Sequence, residues 1–296
     1  MQNHGKSIRL FLRDRNVTQI KFVELFNWTI QALVCPRSRV VELKNWPEAK
    51  RPGVYVLFDI DKIIPDTGKP PAYIGESEDV FGRLTTHINN KMGFDFKEVI
   101  LFTSKDDNIN KAHVRYLESK LYSRAIAANR YTILNSQEPN ESPLSLPDRE
   151  TMDEFIENIY LIMGSLGRLI FEPEITSETK NKSEFGNLHF NLQNSDIHAT
   201  GSMTDEGFLV FKGSTAAGQA VNSLQGSYKA LRDNLIKNGI LKPSDGKLIF
   251  EKDHAFDSPS AAATVVAGSS RNGGICWKDE TGQLLVDIEA GKIASN

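Results

Sequence analysis

Residues 7–13 (SIRLFLR) and 19–26 (QIKFVELF) alternate apolar and polar positions, the period of half-buried strands. The polar DRNVT between them supplies a turn, and 30–35 (IQALVC) reads as a third short strand. A short helix is expected from Pro36 to Lys44, and Pro52-Gly53 punctuates the entry to the next unit. Gly53 to Ile60 is β-type. Pro65-Asp66-Thr67-Gly68 has Pro and Gly where a β-turn wants them, and Ala72 to Gly75 returns as the second hairpin strand. A helix follows at 79–89, a strand at 98–103 and a long helix at 110–129. The long helix has an apolar stripe through Val114, Leu117, Leu121 and Ile126. A short run, 131–134, leads into Asn135. The order β-β-α-β-α-β predicts a small sheet with helices packed on it.

Beyond this point the pattern changes. Residues 136–150 hold three prolines and many polar residues and read as a linker. An amphipathic helix is expected at 152–168, and 172–187 reads as a polar surface loop. In the last third, 189–192, 197–200, 207–211 and 247–250 read as strands. Helices are expected at 227–237 and 258–267, the second opened by a serine cap and a first-turn proline, with a turn and hairpin-like end at 269–286. The predicted class is α+β. Its predicted parts are an N-terminal basic β-rich extension (1–51), a small sheet domain (52–140), a linker with an amphipathic helix (141–187) and a separate α+β domain (188–296).

At 296 residues the chain is long enough for two or three units. No apolar run reaches membrane-span length, and the N-terminus carries no signal-like apolar segment, so a cytoplasmic location is expected. Cys35 and Cys276 are the only cysteines and form no metal motif. The net charge of -3 hides a gradient. Residues 1–50 carry 9 Lys+Arg against 4 Asp+Glu, while 141–200 carry 4 against 11. Basic charge therefore flanks the small sheet domain, where a phosphate-rich partner would want it.

The chemistry-bearing residues lie in 53–87. Two β-type runs each carry a tyrosine beside a glycine: Gly53-Val54-Tyr55 and Tyr73-Ile74-Gly75. Arg83 and His87 are four apart and so share a helix face. Glu118 stands on the later helix, and Asn135 follows a β-type run. Arginine suits phosphate because its planar fork holds two oxygens. A tyrosine becomes a base only where a cation or metal favours its anion. Mg²⁺ needs only one or two carboxylates. Taken singly, each residue also has an ordinary structural use: a surface glutamate paired with Lys111, Arg115 or Lys120, two cross-strand aromatics, a turn asparagine.

The ordered set over 52–140 resembles the GIY-YIG nuclease family. The resemblance implies a divalent-metal-dependent endonuclease acting on phosphodiester bonds, with Mg²⁺ or Mn²⁺ as cofactor and DNA as partner. It implies a metal at Glu118, phosphate contact by Arg83, and catalytic roles for Tyr55, Tyr73, His87 and Asn135. Gly53 and Gly75 complete the signatures at the substrate. One departure is Glu76, where some members carry lysine. A catalytically weak nucleic-acid-binding module in a repair or defence complex is the second reading. Residues 207–286 resemble a small uncharacterised domain often found after GIY-YIG modules, and parts of them resemble a domain attached to restriction and adenine-methylase proteins. By that analogy the C-terminal end selects the target. There, Ser258, Ser260 and the helix start could hold a phosphate with Lys212, Arg271 and Lys278.

Overall fold

The segment Gly53–Phe58 is buried at every position. A strand achieves this only when both faces of its sheet are covered. The computed structural model supplies that cover. It describes residues 5–89, 95–176, 187–191, 196–224 and 226–295, which fall into two units, Met1–Glu174 and Ile175–Asn296.

The strands of the first unit are β1 (Ile8–Leu12), β2 (Lys21–Leu25), β3 (Ile30–Pro36), β4 (Gly53–Phe58), β5 (Pro71–Ser77), β6 (Glu98–Ser104) and β7 (Thr132–Ile133). Its helices are α1 (Val80–Asn89), α2 (Lys111–Ala128) and α3 (Leu146–Ser165), with 3₁₀ helices at Arg37–Asn45 and Pro47–Lys50. The strands form one sheet in the order β1-β2-β3-β6-β4-β5-β7. Every pair is antiparallel except β5–β7.

Period-2 alternation along β4 explains the double cover. Val54, Val56 and Phe58 enter one core with Leu117 and Leu121 of α2 and Ile159 of α3. Tyr55 and Leu57 enter the other, with Val80 and Leu84 of α1 and Val40 and Leu43 of the first 3₁₀ helix. Helices thus cover both faces, and the tyrosine of the first signature faces α1.

The sequence-based boundaries shift in two places. The first fifty residues are not a separate extension. β3 pairs with β6 from Ile30↔Ser104 to Pro36↔Glu98, so β1–β3 widen the central sheet. The expected linker is also shorter, because α3 begins at Leu146 rather than Met152. Ser145 accepts from the Asp148 N–H, and a proline lies in the first turn, which is a helix-start signal. The helix then packs into the first core, with the Tyr116 hydroxyl donating to Asp153 at 2.7 Å.

The second unit has strands β8 (Leu188–Asn191), β9 (His198–Thr204), β10 (Gly207–Val210), β11 (Thr215–Ala217), β12 (Leu241–Ser244), β13 (Lys247–Phe250) and β14 (His254–Phe256). They form two antiparallel sheets, ordered β14-β10-β9-β8 and β11-β13-β12. Its helices are α4 (Gly226–Lys237), α5 (Pro259–Ala267), α6 (Gly273–Cys276) and α7 (Leu285–Ser295). All positions of α5 from Ala261 to Ala267 are buried, the state of a helix that is apolar all round. Trp277 closes this core. It is fully buried 4.4 Å from the Phe208 ring, and its Nε1–H donates to the Pro259 carbonyl at 3.0 Å.

Of the turn and hairpin-like end expected at 269–286, the antiparallel bridge Lys278↔Leu284 over a tight turn is present, set between α6 and the start of α7. Asn272 caps α6, and the Asp279 carboxylate draws in the N–H groups of Thr281 and Gln283, so no strand continues. The 177–186 part of the expected loop lies outside the described residues, as does Leu192 of an expected strand. Both classes of element occur in both units, and the fold is α+β. Among the described residues no helix is long and apolar enough to cross a membrane.

A Cβ on Gly53 would lie 2.3 Å from the Phe102 carbonyl oxygen, which is backbone of the neighbouring strand. Gly53→Ala is expected to destabilise the first unit by about 2 kcal/mol or more through overpacking. Gly164→Ala, in α3 with nothing within 4 Å, is the control. It should be neutral or stabilise by up to ~1 kcal/mol. Chemical denaturation followed by the first unit's signal checks both.

Candidate functional site

Tyr55 sits opposite Gly75 in the β4–β5 register, with Tyr73 diagonal to it opposite Leu57. Both tyrosines therefore point to the α1 face. Gly75 is required there by packing, because a Cβ would lie 2.4 Å from the Tyr55 hydroxyl oxygen and 2.5 Å from its ring. The two phenol rings are 6.3 Å apart and tilted by only 29°.

α1 brings the next two residues. Asp79 starts it, accepting from the Gly82 N–H at 3.1 Å. One turn then separates Arg83 and His87. His87 is buried and Arg83 exposed. The His87 ring lies 5.7 Å from the Tyr55 ring and 5.6 Å from the Tyr73 ring. Its Nε2 is 2.6 Å from the Tyr55 hydroxyl, a buried hydrogen bond. Burial, and then the Arg83 charge, pull the His87 pKa down to about 4, so the imidazole is neutral at pH 7. Burial, and then the neighbouring Tyr73, push the Tyr55 phenol well above its usual range, while Arg83 works the other way. Tyr73 is raised too, by burial and then by Glu118, again opposed by Arg83.

Glu118 comes from α2 and is felt electrostatically by both tyrosines. Its carboxyl is pushed up to about 7, mainly by burial and next by the Glu76 carboxylate, against Lys111, Arg83 and Arg115. The lysines that might have neutralised it pair elsewhere. Lys111 Nζ donates to both Glu76 oxygens, at 2.7 and 2.8 Å, and Lys120 pairs with Glu141 at 3.0 Å. Negative charge is thus accommodated at Glu118 with difficulty, a condition that a cation would relieve. Among the described residues no group of three or more His, Cys, Asp or Glu could hold a metal. Glu76 has both carboxylate oxygens on Lys111, so Glu118 is the carboxylate left to hold a hard divalent ion, which takes as few as one carboxylate and fills its shell with water and phosphate oxygens.

Asn135 acts on backbone. Its Oδ1 accepts from the Ile74 N–H at 3.1 Å, and its Nδ2 donates to the Ile74 carbonyl at 2.7 Å. This pair extends the β5–β7 ladder by one side chain and pins the strand between Tyr73 and Gly75. Six of the expected first-unit residues thus surround one region: Gly75, Tyr55, Tyr73, Arg83, His87 and Glu118. Gly53 lies two residues before Tyr55 on β4 and serves packing.

Sequence reasoning missed Lys111 as a site residue and read Glu76 only as a lost cation. No local signal links positions 35 apart; the hydrogen bond exists only once α2 lies beside β5.

In the second unit the start of α5, expected to hold a phosphate, is built around two serines. Ser258 accepts from the Ala261 N–H at 3.1 Å and Ser260 from the Gly273 N–H at 2.9 Å, so both oxygens cap backbone while their O–H groups keep a donor. The Lys278 side chain is exposed, and its backbone bridges His189 and Leu284. Both cysteines are free, and burial pushes the Cys35 thiol up to about 12.

The Glu118 shift predicts a pH dependence of stability. Its folded pKa, about 7, lies above the unfolded value of 4.5. Between these values the folded chain holds a proton that the unfolded chain has lost, so stability falls as pH rises from about 4.5 to 7. Glu118→Gln is therefore expected to stabilise the first unit more at pH 8 than at pH 5. Denaturant midpoints of both proteins across that range check this.

Residues 190–289 match a family described as Domain of unknown function (DUF4357). No curated protein and no solved structure matches the chain. A C-terminal domain of unknown function is therefore present, over wider bounds than 207–286. The match stops short of the first unit, whose reading rests on its own residues.

Proposed function

We propose that the first unit hydrolyses phosphodiester bonds in DNA with the help of Mg²⁺ or Mn²⁺. One observation carries the reading: two tyrosines, a neutral histidine and an exposed arginine converge beside a carboxylate whose pKa is pushed up to about 7. Strained carboxylates and shifted acids gathered at one place mark functional sites more often than structural ones.

In this reading Arg83, exposed at the rim, holds non-bridging phosphate oxygens with its fork. A water oxygen forms the new P–O bond while the bond to the leaving sugar oxygen breaks, and that oxygen takes a proton from solvent water. The water's proton passes to a tyrosine hydroxyl. Tyr55 relays its own proton to His87 Nε2, which is neutral and already hydrogen-bonded to it. Tyr73, less buried, borders the same space. Ionising either phenol unaided is unfavourable because burial raises both, so a tyrosine acts by exchanging protons rather than as a standing phenolate. Glu118 would hold the divalent ion, which when bound would supply charge stabilisation for the phosphate and the leaving oxygen. Asn135 keeps β5 in register beneath Tyr73.

The second unit, exposed Lys278 included, is read as the part that positions the target, since a small nuclease module makes few DNA contacts of its own. A catalytically weak binding module is the second reading. The acid at Glu76, which raises Glu118 further, favours it.

Nicking of supercoiled plasmid tests the proposal. Wild type is expected to nick with Mg²⁺ or Mn²⁺ and not in a chelator. Glu118→Ala and Arg83→Ala should each lose about a hundredfold or more, and Tyr55→Phe should fall in the range of about 10²–10⁴. The rate should rise with pH through about 7, as Glu118 loses its proton. DNA binding without nicking under any metal would select the second reading.

A further inference from the structure

The outer hairpin β1–β2 carries side chains that the proposed chemistry does not use. Alternation puts Arg9, Phe11 and Arg13 on one face, with Phe22, Glu24 and Phe26 beside them; Phe11 pairs directly with Phe22, and Arg9 with Glu24. The Arg9 guanidinium lies over the Phe26 ring at 4.3 Å. Phe22 stacks on Trp46, with ring centroids 6.4 Å apart and planes within 13°, and the Arg13 guanidinium lies over Trp46 at 5.4 Å. Aromatic rings and guanidinium groups therefore alternate across the hairpin. Phe11 is 57 % exposed on an edge strand and Phe26 45 %. Glu24 on this face is held by Lys105 at 2.7 Å and only loosely by Arg9 at 3.7 Å, and Glu42, which lines a hollow with Arg13 and Trp46, is paired with Arg39 at 2.8 Å.

Phe11 leaves a ring open to solvent, with Arg9 and Arg13 on the same face of the hairpin. Rings that offer a π face, flanked by arginines that attract phosphate, are the elements that hold a single strand without reading its sequence. The strand register ties this face to the candidate site. Phe11, Phe22, Leu33, Leu101, Tyr55 and Gly75 form one continuous cross-strand row. Phe11 and Tyr55 are four strand spacings apart, about 19 Å at ~4.8 Å each; Leu33 and Leu101 between them are buried under the first 3₁₀ helix and α1, so a strand held at Phe11 would pass over that cover to reach Arg83.

We infer that the outer face of β1–β2, centred on Phe11 with Arg9 and Arg13, is a binding surface for single-stranded DNA. The inference deepens the nuclease reading by naming where the substrate strand is held, and it rests on that reading only for the choice of DNA.

The test is fluorescence anisotropy of the full chain in EDTA, with labelled oligo-dT and oligo-rU of about twenty nucleotides and a duplex of the same length. Phe11→Ala is expected to weaken oligo-dT binding by at least about fivefold, with the salt slope unchanged. Phe11→Tyr should retain wild-type binding, which separates a lost stacking ring from a damaged fold. Arg9→Gln with Arg13→Gln should reduce the slope of log K against log salt by about 1.4, two phosphates at ~0.7 each.

Affinity blind to all of these changes would overturn the inference. So would tighter binding of oligo-rU or duplex through the same residues, or a dimer that dissociates in Phe11→Ala and thereby shows a second copy on this face. Because no metal is present, a chain that binds through Phe11 and never nicks would leave the surface standing and remove the nuclease. A chain that nicks but binds equally well in every variant would do the reverse.

Discussion

The Tyr55 side chain, laid over Gly75 and hydrogen-bonded to His87, is the contact on which the site depends. It joins three elements at once. β4 supplies the ring, β5 supplies a glycine small enough to lie beneath it, and α1 supplies the buried hydrogen-bond partner. A side chain at position 75 would push the ring away, separate its hydroxyl from His87 and disturb the β4–β5 ladder. The two glycines of the tyrosine-glycine signatures thus have distinct physical reasons: Gly53 admits the Phe102 carbonyl, and Gly75 admits the Tyr55 ring. Asn135 reinforces the arrangement from outside by gripping Ile74 between Tyr73 and Gly75.

Charge is distributed around this contact in a way that leaves one group unsatisfied. Lys111 spends its ammonium on Glu76. Arg83 faces the phenols. Glu118 is left partly buried beside a second carboxylate, and its pKa rises to about 7. Such an arrangement costs stability at neutral pH and returns nothing to the fold. In the proposed function a divalent cation would relieve it. The acid at position 76 brings a compensating ammonium with it from α2, so its local charge with Lys111 is close to zero.

Much of the site was legible in the sequence, because each signature is local. Alternation with glycine located β4 and β5, and the spacing of four put Arg83 and His87 on one face. The apolar stripe located α2 and with it Glu118. What could not be read was long-range. The Glu76–Lys111 pair depends on α2 lying along β5, and the inclusion of β1–β3 in the central sheet depends on β3 finding β6. The start of α3 at Leu146 was written in Ser145 and Pro147, but a proline-rich stretch reads as linker when its cap is overlooked. At the C-terminal end the hairpin-like turn was legible in part, as the bridge Lys278↔Leu284, while the short helix capped by Asn272 was not.

The claim at the centre is that Glu118 holds a divalent cation beside the Tyr55–His87 pair. Titration of Mn²⁺ into the full chain, followed by electron paramagnetic resonance of the free ion, tests it most directly. The account predicts one bound Mn²⁺ displaced by Mg²⁺, with affinity that rises as pH passes about 7 and is lost in Glu118→Gln. Mn²⁺ binding of equal strength in Glu118→Gln, or no binding to the wild type at pH 8, would contradict it.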